Sequence, residues 1–256
     1  MNSIMTIAKR DFKSGFATPK SGAVLFFFLL FMGLFFSSFV KTFIEFQARA
    51  GMMGGGGAPT MEQLIKAMFY NLHFILILIV PAVTMGTFAE EQKSQTLRLL
   101  QTAPIKAYEI VLGKFAAAAG LMGFVLLLSI GYPLFLKAHG TPDMGVVMSS
   151  YLGLFLLICA QISLGIWISS LTKNQFLAFI FTMFGLFMML VLDFISKAVT
   201  TSGGQIEGVL QYFGTTKHLD VFFKGLITVG DSMFFVLFTA MFLFFTTVTL
   251  DSRRWK

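Results

Sequence analysis

Few residues in this chain have the type and spacing for covalent or metal chemistry. His73, His139 and His218 are the three histidines, and no His-Glu-x-x-His pairing occurs to hold a metal beside a general base. Cys159 is the single cysteine, which excludes an internal disulfide and leaves no pair for a thiolate metal site. No Ser–His or Asp pair falls inside the long apolar runs, so no nucleophile or acid dyad is expected there. Gly54-Gly55-Gly56-Gly57-Ala58-Pro59 is a flexible break rather than a phosphate cradle, because it lacks the flanking strand and the Lys followed by Ser or Thr. The expectation is no catalytic residue, no metal site and no cofactor bound by this chain. Any energy from ATP must enter through another polypeptide.

Two kinds of candidate remain. His218 can be a titrating switch or a metal ligand, or a hydrogen-bonded structural histidine, and the lack of a second His or Cys nearby favours the last. His73 and His139 are read as structural residues near the ends of apolar runs. Gln161 and Ser163 are polar residues inside such a run and so candidate pathway residues. For Gln161 an interhelical hydrogen bond is the competing reading. Asp193, near a run's end, is expected to be hydrated.

The sharpest motif presents apolar side chains from a polar loop rather than reactive groups. Glu90-Glu91-Gln92-Lys93-Ser94-Gln95-Thr96-Leu97-Arg98-Leu99-Leu100-Gln101-Thr102-Ala103-Pro104 opens with acids, carries Arg98 in its second half and ends on a proline. That order suits the dipole of a short helix stopped by Pro104. Leu97 and Leu100 share one side, flanked by Leu99. Leucines presented from a polar loop need a protein or membrane partner, or fold back on the neighbouring helix ends.

Six apolar runs must position these residues: 21–40, 72–88, 115–136, 146–170, 176–195 and 233–250. Each approaches the roughly 20 residues of helix that cross a lipid core about 30 Å thick. With 56% hydrophobic residues, 33 Phe and only 12% charged residues, the chain is expected to be one all-α polytopic membrane domain over residues 1–256. With the first segment inside, twelve cations lie inside against seven outside, and five acids against seven. The positive side is retained in the cytoplasm, so both termini are expected there. This scatter of cations over several loops argues against a nucleic-acid surface.

Residues 1–19 place Met1, Ile4, Met5, Ala8, Phe12 and Phe16 on one helical face, with Lys9, Arg10 and Lys13 off it. An interfacial helix in the headgroup layer is expected, ended at Thr18-Pro19, and a cleaved secretory leader is not. Lys217–Asp231 holds too few apolar residues to cross a membrane and is expected to form a re-entrant or interfacial outer helix pair.

The stretch EEQKSQTLRLLQTAPIKAYEIVLGKF resembles the signature of ABC-2 type permeases, which read E-x-x-x-G-T-L-E-x-L-L-x-S/T-P and then a Gly-Lys opening the third span. Glu90, Glu91, Thr96, Leu97, Leu99, Leu100, Pro104, Gly113 and Lys114 match. Gln95 stands where glycine is usual, and Arg98 where glutamate is usual. AKRDFKSGFATPKS resembles the family's elbow helix, and HLDVFFKGLITVGDSMFF with the terminal LDSRRW resembles the gliding-motility-associated, GldF-like permeases.

The resemblance implies a permease subunit of an ATP-driven exporter in a bacterial inner membrane. It implies two copies of a cytoplasmic ATPase that holds ATP and Mg, and a second permease copy, identical or not. Glu90, Glu91, Lys93, Thr96, Leu97, Leu99, Leu100 and Pro104 would form the coupling helix that docks on the ATPase. His218, Phe222, Phe223, Gly225 and Asp231 would belong to a re-entrant outer gate. The competing readings are a structural or anchoring subunit of a gliding-motility or envelope complex, and an ion-coupled carrier. The second would need acids deep in the spans, and this chain has none at mid-membrane.

Overall fold

The computed structural model describes residues 3–17, 19–52, 60–96, 105–199 and 214–254. Among these, ten helices and no strand are found. They are α1 (Ser3–Ala17), α2 (Pro19–Met52), α3 (Met61–Thr84), α4 (Ala89–Lys93) and α5 (Ala107–Leu128). Then follow α6 (Gly131–His139), α7 (Met144–Leu171), α8 (Gln175–Val199), α9 (Thr215–Phe223) and α10 (Val229–Arg254). Six segments are long and apolar enough to cross a membrane: Gly22–Arg49, Met61–Lys93, Ala107–Ala138, Met144–Leu171, Gln175–Ile195 and Val229–Ser252. The chain is an all-α, multi-pass membrane protein.

Local signals explain where the helices begin. Pro19 opens α2, where its missing N–H is harmless. Thr60 and Gln63 close a reciprocal capping box on α3, with Gln63 N–H donating to Thr60 Oγ1 and Thr60 N–H to Gln63 Oε1. Asp143 accepts from Gly145 N–H at 2.8 Å to start α7.

The helices outrun the apolar stretches that announce them. α2 has 34 residues, about 51 Å of helix, so it exceeds a lipid core about 30 Å thick. Residues 41–52 and 61–71, read from sequence as part of a polar connection, are therefore helical extensions. The expected flexible break at Gly54–Pro59 lies outside the described residues. The third run is divided: α5 stops at Leu128 and α6 restarts at Gly131, with Ser129 Oγ 3.0 Å from the Tyr151 hydroxyl of α7.

α7 is the central helix and touches α3, α5, α8, α9 and α10, whereas α2 packs chiefly on α3. The core follows this arrangement: Leu154, Ile158, Ile162 and Ile166 of α7 are buried with Phe69, Leu72 and Leu76 of α3. α1 runs along α5. Gly113 of α5 makes that approach possible, because a Cβ there would stand 2.8 Å from Ile7 Cγ2 and 3.1 Å from the Ile4 carbonyl oxygen. Phe16 meets Phe124 edge-on at 5.1 Å higher up the same seam. The amphipathic face expected to rest on headgroups is thus partly covered by protein, although Met5 remains exposed.

Candidate functional site

At the end of the bundle that carries α1 and α4, charged groups from three separate elements converge. Lys114 Nζ of α5 lies 2.7 Å from Glu91 Oε1 of α4 and 3.2 Å from Asp11 Oδ2 of α1. Its side chain is only 5% exposed, so the ammonium depends on these carboxylates rather than on water. The Phe88 ring lies 5.3 Å from the same nitrogen. Arg10 extends the network, with Nε 2.8 Å from Asp11 Oδ1 and a guanidinium nitrogen 3.8 Å from Glu91 Oε1. The hydrogen bond to Asp11 holds Arg10 above its ordinary pKa.

A second set of bonds ties the same loop to the end of α7. Ser169 Oγ accepts from the N–H groups of Phe88 and Ala89, both at 3.1 Å, and donates to the Met85 carbonyl at 3.0 Å. It therefore caps α4 from another helix, and the Phe88 side chain supplies no cap. Gln92 Nε2 donates to the Ser170 carbonyl at 2.8 Å. Between α1, α3 and α5 the loop borders a cavity of about 350 Å³, lined by Asp11, Glu90, Glu91, Lys114 and Gln175 among others. Among the described residues, Glu91 Oε2 is sealed from solvent without a partner.

The expected helix through to Pro104 is interrupted. α4 ends at Lys93, and Gln95 follows at φ +58°, in the left-handed region that closes many helices and favours glycine. Gln95 is the position where the related pattern has glycine, so the departure noted in the sequence coincides with local strain. Lys93 and Thr96 are exposed, and Thr96 Oγ1 is 2.9 Å from Ser94 Oγ. Leu97, Leu99, Leu100 and Pro104 lie outside the described residues.

The opposite end gathers the second group. Asp193 Oδ2 of α8 accepts from the Thr216 N–H at 3.0 Å and from the hydroxyls of Thr215 and Thr216, which caps α9. Asp193 is 5% exposed, so the hydrated carboxylate expected from its place near a run's end is instead a buried cap. Phe222 and Phe223 are buried; Ser149 Oγ donates to the Phe222 carbonyl at 2.8 Å, and Phe223 stacks on Phe69 at 5.6 Å. His218 Nδ1 lies 2.6 Å from Asp231 Oδ1, and its ring stacks on Phe234 at 4.1 Å. His218 thus has a carboxylate as its partner. Gly225 at φ +84° turns the chain back. Of the expected helix pair, α9 is the first member, and the second is absorbed into α10, which starts at Val229.

The remaining candidates separate. Ser163 Oγ donates to the Ala160 carbonyl of its own helix. Gln161 is buried with His73, which lies three turns inside α3 rather than near a helix end. His139 belongs to the end of α6. No group of three potential metal ligands occurs among the described residues.

A family model described as ABC-2 family transporter protein matches residues 20–189, well over half of the 256 residues. The chain belongs to the ABC-2 transporter family. Membership makes it a membrane permease subunit and implies partnering with an ATP-binding subunit. The match takes in Glu91 and Lys114 but neither Asp11 nor the α9 region. A search of curated proteins finds none that matches.

Sequence reading missed the Asp11–Lys114–Glu91 network and the Ser169 cap. One signal was present: Lys114 is the only Lys or Arg between Lys106 and Lys137, at the start of an apolar run, and a lysine there needs an acid or an aqueous face.

Proposed function

We propose that this ABC-2 permease is the membrane-spanning half of an exporter in a bacterial cytoplasmic membrane, driven by two copies of a separate ATPase that binds ATP and Mg. Both termini and the Glu90–Pro104 segment face the cytoplasm in this reading, which rests on the excess of Lys and Arg at that end. The carrying observation is the buried bridge of Lys114 to Asp11 and Glu91. A loop pushed by an ATPase moves a transmembrane helix only if it is fastened to it. Here Glu91 fastens α4 to α5 and α1, while Ser169 and Gln92 fasten it to α7. ATP-driven closure of the ATPase pair would then displace several spans together, provided that the pair binds the two permease states with different affinity.

The second permease copy is assigned to the face formed by α2, α3 and α8. An almost wholly apolar groove of about 520 Å³ runs there, lined by Phe27, Phe31 and Phe35 of α2, Phe74 and Leu78 of α3, and Phe179 of α8. Such a lining at a subunit interface suits an amphiphilic cargo. α9 is assigned to the outer gate. Within the family, the HLDVFFKGLITVGDSMFF stretch supports a place near the GldF-like permeases.

The test is reconstitution in liposomes with either the wild-type ATPase or one that binds but does not hydrolyse ATP. Efflux of an amphiphilic probe that requires hydrolysis is expected. Equal efflux with both partners would overturn the reading.

A further inference from the structure

Beneath α9, where α3, α7, α8 and α10 meet, a small void of about 10 Å³ is lined by His73, Gln161 and Thr215 among apolar neighbours that include Leu157, Phe235 and Phe238. Gln161 is 4% exposed, and its Oε1 is sealed from solvent with no donor among the described residues. A carboxamide oxygen stripped of water without replacement is costly, and native proteins rarely leave one so. A void holds a water when it is polar, offers at least two hydrogen-bonding groups and admits about one probe sphere, roughly 10–15 Å³. This one meets those conditions.

We infer that the void binds one water molecule, which donates to Gln161 Oε1 and makes its other bonds to His73 and Thr215. The Thr215 hydroxyl already donates to Asp193 Oδ2 at 3.1 Å, so only its lone pairs remain for the water. The imidazole of His73 can accept or donate according to its tautomer. A cation does not suit the site, because no carboxylate lines it and one carboxamide oxygen with one hydroxyl falls short of the six or more oxygens that hard cations take. The water joins α7 to the first residue of α9 and, through Thr215, to Asp193 of α8. The start of α9 is thus held to α8 by its direct bonds to Asp193 and to α7 through the replaceable water, whereas its last turn is held by the direct Ser149–Phe222 bond. The site stands whether or not the transport reading holds, since it depends only on these side chains.

Radiolytic hydroxyl-radical footprinting of the full chain in lipid nanodiscs tests it, because radicals formed from an internal water label the residues beside it. Phe235 lines the void and Phe28 does not, and both are fully buried. Phe235 is expected to be oxidised several-fold faster than Phe28, and Gln161→Met to bring it down to the Phe28 rate. Equal rates for the two rings in the wild-type chain would show a dry void and overturn the proposal, as would labelling that survives in folded Gln161→Met. Melting temperature reads the same variant independently. Loss of a water-satisfied acceptor lowers it, whereas loss of an unsatisfied one raises it and contradicts the site.

Discussion

Lys114 is the residue on which the near end of the bundle turns. A nearly buried ammonium held by two carboxylates loses both bonds at once in Lys114→Met, and leaves Asp11 and Glu91 to the half-exposed Arg10 guanidinium. Removing one member of such a buried cluster costs about 3 kcal/mol. The thermal midpoint of the purified permease should fall accordingly, and ATP-driven transport should fall further than ATP hydrolysis by the complex, because the loop is detached while the docking surface survives. Equal loss of both activities would argue against a fastening role. Gln95 is the opposite case. Its side chain occupies a left-handed position, so Gln95→Gly should stabilise the loop by about 0.5–1 kcal/mol, readable as slower hydrogen exchange across residues 89–96. Sequence spacing exposed the departure at Gln95, but the strain became visible only with the backbone angle in hand. Asp11 and Lys114 were harder to pair, since 103 residues separate them and only the packing of α1 along α5 brings them together.

Helices gave their existence away through composition, and their ends through chemistry that hydropathy does not register. α2 continues to Met52 because Lys41, Glu45 and Arg49 are good helix formers that need no lipid, and α3 starts at Met61 because Thr60 and Gln63 cap it. The break at Ser129–Ile130 is announced by Pro133, which lacks the N–H that would bond the Ser129 carbonyl four residues back, a signal that hydropathy passes over. Two element-level outcomes follow from the packing. Gly113→Val places a side chain where Ile7 and the Ile4 carbonyl already sit, so α1 should lift from α5. Overpacking of this kind costs about 1–3 kcal/mol, and protease access to residues 3–17 should rise. Asp193→Asn removes the charge that caps α9, at about 1 kcal/mol. Backbone amides at Thr215 and Thr216 should then exchange faster while those of α7 stay unchanged.

At the scale of the whole molecule, six spans and a family match fix a permease, and the charge network fixes which part of the loop is anchored. The leucines of the motif supply the contact surface in this reading, and the residues around Glu91 supply the attachment. The most direct measurement places a photo-crosslinking amino acid at Leu100 of the full-length chain in native membranes, with Ile44 as the control at the other end of the bundle. Capture of an ATP-binding subunit from position 100 and not from position 44 is the predicted result. Capture from position 44, or labelling of position 100 by membrane-impermeant reagents added outside intact cells, would contradict it.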